Sequence, residues 1–171
     1  MAYEFYVKIE GTHQGVFKGE VPQGKHKDKI AGIAFEYSVS SPRDIHTGAA
    51  TGTREHKPVR ITKEWGAATP QIFAACVTNE VLKKVTIEFI KKASDGKEHV
   101  FHSIKLTNAT VMKVEQFSAP KSADAGGSST AVHTSSADLR EMETVSLTFS
   151  KIELENLDGQ TSAEDDWNAG G

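Results

Sequence analysis

Apolar residues recur at every second position in stretch after stretch of this chain. Phe5, Val7 and Ile9 alternate with Tyr6, Lys8 and Glu10. Ile33, Phe35, Tyr37 and Val39 alternate with Ala34, Glu36, Ser38 and Ser40. The pattern returns at Val59 and Ile61, at Val85, Ile87 and Phe89, at Val100, His102, Ile104 and Leu106, and at Val145, Leu147 and Phe149. Period two sends successive side chains to opposite faces of a strand, so each of these segments has one face for a core and one for water. Such one-sided strands belong to antiparallel sheets, because strands of all-parallel sheets are buried on both faces. There is no strand–helix alternation, which argues against a nucleotide-binding α/β fold. An antiparallel sandwich or barrel is expected.

The breaks between these segments carry turn chemistry. Gly11 ends the first strand, and Pro42 ends regular pairing after the second. Asp95-Gly96 is a tight-turn pair between two alternating runs, which predicts a hairpin. The apolar parity shifts near Asn108 and again near Ser150, so a bulge or bend is expected at each. One helix is predicted in "ATPQIFAACVTN". Thr69 serves as its N-cap, Pro70 fits the first turn, and Ile72, Phe73, Cys76 and Val77 form its apolar face, ending near Asn79.

Two polar stretches are long compared with the usual connection of about 4–6 residues. One is "SSPRDIHTGAATGTREHKP", residues 40–58, and the other is the Ser- and Gly-rich run 118–138, read as a flexible loop. The closing stretch "DGQTSAEDDWNAGG" is acidic and offers little to bury, so flexibility is expected there too. A length of 171 residues suggests one domain, and 37% hydrophobic content supplies a modest core. A net charge of −3 argues against a general nucleic-acid binder. The single cysteine, Cys76, cannot form an internal disulfide and is expected to be a buried thiol. "MAYEFYVKIEG" lacks the basic and apolar regions of a signal peptide, and no apolar run approaches the roughly 20 residues that span a bilayer.

Chemistry-bearing motifs are absent. His13, His26, His46, His56, His99, His102 and His133 form neither HExxH nor a Cys/His cluster, so no metal or other cofactor is expected. His102 shares parity with Ile104, which suggests a hydrogen-bonded core histidine. "GAATGTR" lacks the Gly-Lys-Ser/Thr ending of a phosphate loop, and no GxSxG elbow occurs. Glu36, Glu64, Glu88 and Glu98 are scattered rather than paired. The residues alone point to a binding or assembly module rather than an enzyme.

The segments "YVKIEG", "IAGIAFEYSVSSP" and above all "KPVRITKEWGAATPQIFAACVTNEVLKKVTIEF" resemble the Hcp family, the haemolysin-coregulated proteins of bacterial type VI secretion. The resemblance runs from about Ala2 to Leu157. It implies a mainly β fold: a β-barrel of two antiparallel sheets with one short flanking α-helix and long extended loops. The barrel domain would cover residues 1–157, with 158–171 as an acidic, flexible tail. It further implies homohexameric rings that stack into a tube, enclosed by a contractile sheath with its baseplate and tipped by a VgrG-like spike, and small effector proteins carried in the channel. Assembly would be cytoplasmic and export would proceed through the type VI machine, with no nucleic acid and no membrane insertion. A phage-type tail-tube protein is the neighbouring alternative, and a small ligand-binding barrel or enzyme the remote one. In a ring, Ala34, Glu36, Ser38 and Ser40 would line the channel. Residues 40–58 would become an arm reaching the next ring, with Arg43, Asp44, His46, Arg54 and Glu55 as contact residues.

Overall fold

A computed structural model describes residues 4–21, 26–120 and 139–167. In chain order the elements are β1 (Glu4–Gly11), β2 (Gly15–Val16), β3 (Ile30–Gly32), β4 (Ala34–Glu36), β5 (Val39–Ser40), β6 (Glu55–His56), β7 (Val59–Glu64), helix α1 (Thr69–Thr78), β8 (Leu82–Lys92), β9 (Glu98–Pro120), β10 (Leu139–Thr148), β11 (Lys151–Asn156) and β12 (Thr161–Asp166). The strand pairings among them are antiparallel. The described residues are therefore mainly β, built of antiparallel sheets with one helix.

Two segments change partners along their length, and these changes create the layers. The first half of β9 lies between β8 and β11, with Lys84↔Thr107 on one side and Leu154↔Ile104 on the other. Its second half, from Thr110, pairs with β10. Asn108 sits at the changeover with φ 49, a left-handed conformation that Asn tolerates better than most residues. The parity shift expected there has this bend as its cause. In the same way β3 pairs with β1, while β4, one residue further on, pairs with β7. Gly32 makes the first of these pairings possible. A Cβ on it would stand 1.9 Å from the Phe5 ring, which lies directly across the strand pair.

The inward faces enclose one core. Val7, Ile87, Leu106, Val59, Leu147 and Ile152 are all essentially inaccessible, and each occupies a position that the period-two pattern marks as apolar or continues. Each such side chain contributes about 1.5–3 kcal/mol on leaving water. The Asp95-Gly96 turn forms as expected, with Gly96 at φ 80 and its amide donating to the Ala93 carbonyl.

Several expectations change. The helix buries Ala68, Ile72 and Ala75, whereas Phe73 and Val77 are exposed and Cys76 is only half-buried against the core. Two small residues at i and i+7 let the helix axis approach β9, and Phe73 falls one position round from that stripe. Ala68 rather than Thr69 occupies the N-cap, and it supplies no side-chain cap. The Thr69 hydroxyl accepts the Gly66 amide and donates to Glu143 Oε1. Ile33 and Val39 are both about half exposed. Ile33 lies where the chain leaves β1 for β7, and Val39 lies beyond the last β7 pairing, so the alternation outruns the core. His102 is half-buried between Phe89 and Phe101. A bulge at Phe101 interrupts the register between Phe89↔His102 and Ile90↔Val100. The segment expected to be flexible from 158 onward includes a strand: β12 pairs with β11 from Lys151↔Asp166 to Asn156↔Thr161. Ser118–Pro120 close β9, and the rest of the predicted loop, 121–138, lies outside the described residues.

Candidate functional site

The sheet formed by β9, β10, β7 and β4 carries two hydrophilic rows on one face, and the row beyond them on that face holds Phe117, Met142 and Glu64. Its registers place Lys113, Ser146, Arg60 and Glu36 in one row across the strands. Glu115, Thr144, Thr62 and Ala34 form the next row. The same alternation that sends Val59 and Ile61 inward turns Arg60 and Thr62 outward. Lys113 Nζ lies 3.0 Å from Glu115, and Arg60 lies 3.3 Å from Glu36 and 3.8 Å from Glu115. The Thr62 and Thr144 hydroxyls share a hydrogen bond of 3.0 Å. The charges of these two rows cancel, and the hydroxyl residues at their centre, Thr144 and Ser146, are each only 6% exposed. What these rows show to water is paired charge, Arg60 with Glu36 and Lys113 with Glu115, so they have no strong preference for either sign of charge.

Among the described residues the sheet ends on both sides in unpaired backbone. From Thr110 to Pro120, β9 is paired on its β10 side only among the described residues, and β4 is paired only with β7. Open strand edges are templates for pairing with another chain.

Of the expected channel residues, Ala34 and Glu36 lie on this face. Ser38 and Ser40 are exposed but follow the chain out of the sheet, Ser38 accepting the Lys57 amide and Ser40 pairing with Glu55. Arg60, Thr62, Lys113, Glu115, Thr144 and Ser146 were missed. The parity of β7 already marked the first two. The other four become neighbours only through a register between strands distant in sequence.

The stretch 40–58 is a structured hairpin. β5 pairs with β6 at its base, Arg43 bridges to Ala50, and the Asp44 amide donates to the Ala49 carbonyl. The Asp44 carboxylate accepts the amides of Thr47 and His46, which hold its pKa below the ordinary value. Ile45 at the tip is 91% exposed. Two of the expected contact residues therefore have partners within the chain: Asp44 shapes the tip, and Arg54 is bound at the base. Arg54 Nε donates to Asp165 Oδ2 at 2.5 Å and Nη2 to the Asp166 carbonyl at 2.8 Å.

Asp165 also takes His56. His56 Nε2 lies 2.7 Å from Asp165 Oδ2, and Nδ1 lies 2.6 Å from the Tyr37 hydroxyl. A carboxylate only accepts, so Nε2 donates to Asp165, while Nδ1 shares a hydrogen bond with the Tyr37 hydroxyl. The hydrogen bonds from Arg54, then from His56, hold the Asp165 pKa down. Burial, with the charge of Asp165, pushes the Tyr37 phenol up. Trp167 and Phe149 pack on the His56 ring. No candidate metal-binding group occurs among the described residues.

A family model described as the type VI secretion system effector Hcp matches residues 6–155. The Major exported protein of Pseudomonas aeruginosa is 30% identical over 98% of this chain and 96% of its own length. Among solved structures, an Hcp protein superposes with a TM-score of 0.81 at 24% identity, covering 97% of this chain and all of the other. The Hcp1 protein of Escherichia coli EAEC 042 gives 0.77 at 27% identity over 97% of this chain and 99% of the other. The chain belongs to the Hcp family of type VI secretion tube proteins, which are structural proteins rather than enzymes.

Proposed function

We propose that this chain is the repeating subunit of a type VI inner tube: a homohexameric ring, open at its centre, whose copies stack and carry small effectors. The observation that supports this best is the four-strand face with its two hydrophilic rows, bounded by two unpaired edges. An edge of β9 in one copy laid against β4 of the next is a heterologous contact, and repeated by rotation it closes a ring. The outward faces of the strands then line the channel, around Ala34 and Glu36 together with Arg60 and Thr62, with Ser38 and Ser40 beside them where the chain leaves the sheet. Their paired charges and hydroxyls suit weak contact with varied cargo. Within each subunit the segment Ile30–Glu36, joined to β1 at one end and β7 at the other, closes the two sheets into a β-barrel covering residues 1–157, and β12 is laid onto its side. The arm 40–58 reaches the adjoining ring through Arg43, His46 and Glu55, with Asp44 and Arg54 holding its shape. Sheath, baseplate and a VgrG-like spike are the remaining partners. Subunits assemble in the cytoplasm and leave through the machine.

The test is a bulky maleimide on Ser38→Cys in a Cys76→Ser background, imaged as rings. Added density inside the ring, narrowing the channel, is expected. Label density on the outer rim with an unchanged channel overturns the assignment.

A further inference from the structure

The acidic C-terminal strand does something that its composition does not announce. β12 lies far from residues 40–58 in sequence, yet Asp165 accepts from both Arg54 and His56, the two residues that bracket Glu55 on the arm's returning side. The Asp166 carbonyl takes a further Arg54 nitrogen, and Trp167 stacks edge-on against His56 with ring centroids 5.4 Å apart. The arm's own base is slight by comparison: β5 and β6 contribute two residues each. Most of residues 40–55 are exposed, so little apolar burial fixes the direction of the arm. A two-stranded ribbon of that kind is marginal alone.

We propose that β12 is a clasp, with Asp165 as the positioning residue that sets the arm's orientation. The clasp gathers three arm-base groups, Tyr37 through His56, His56 itself and Arg54, onto one carboxylate. Opening it frees the arm while β1 and β8 stay folded, because the clasp groups meet the core at Phe149, against which Tyr37, His56 and Trp167 pack, and not at the buried residues of β1 and β8. The consequence for stacking rests on the proposed role of the arm between rings, but the clasp does not.

Hydrogen exchange on the full chain tests it. Asp165→Asn should speed exchange of the Thr51 and Lys57 amides about tenfold, the factor implied by losing a charge-assisted hydrogen bond, with β8 amides unchanged. Arg54→Gln should act in the same direction from the opposite side, and Asp165→Glu should restore protection. Arm amides that exchange at the parent rate in both Asp165→Asn and Arg54→Gln overturn the clasp, as does equal acceleration of arm and β8. Ring stacking of the same variants is read separately. Faster arm exchange with undiminished stacking upholds the clasp and removes the arm from the ring-to-ring contact.

Discussion

Individual residues carry more of this fold than their types suggest. Lys63 shares parity with Val59 and Ile61 and is 1% exposed. Its ammonium lies 2.7 Å from Glu143 and 2.8 Å from Glu20, and donates to the Glu64 carbonyl. The parity that buries Lys63 is legible in the sequence. Its partners are not, because Glu20 and Glu143 are brought to it by separate parts of the chain. Lys63→Met leaves Glu143 buried and uncompensated and should cost about 3–5 kcal/mol in denaturant unfolding. Adding Glu143→Leu to that variant should recover most of the loss, since an apolar pair of similar volume replaces the ions. Asp165 gives a pH prediction with a definite sign. Its folded pKa is depressed by Arg54 and His56, so its contribution is present above the unfolded carboxylate value of about 3.9 and disappears as pH falls through the lower folded value. Arm amides should therefore stay protected in mild acid and lose protection only below about pH 4, while Asp165→Asn should shrink that acid step to the part that the Asp44 turn contributes.

At the scale of elements, what could be read in advance was set by whether apolar side chains drive the element. β1, β7 and the β8–β9 hairpin follow from period two, because each must turn one face to the core. The positions of the bends near Asn108 and Ser150 follow from a parity change. The helix was legible in extent but not in facing, since two stripes were apolar and only the geometry of the sheet beneath it selects Ala68–Ile72–Ala75. β12 was illegible. "TSAEDD" has no apolar period, and it is held by backbone pairing to β11 and by the charge of Asp165 against Arg54, a contact between residues 111 positions apart. The arm was read as a loop for the same reason: its order comes from the Asp44 turn and the clasp rather than from burial. Phe73 and Val77 remain on the outer face of α1, half exposed or more.

For the whole molecule, the candidate site is a sheet face rather than a pocket, so no motif announces it. Half of it, Ala34, Glu36, Arg60 and Thr62, follows from alternation in two neighbouring strands. The remainder depends on β9 crossing between layers and delivering Lys113 and Glu115 beside β10. The proposed ring would continue each subunit's sheet into the next through the two unpaired edges. The Ser38→Cys label addresses which face looks inward. Whether the chain closes on itself at all is a question of mass. Native mass spectrometry of the purified protein at high concentration should give a single dominant species six times the 18.5 kDa chain. A protein that stays strictly monomeric under those conditions contradicts the ring.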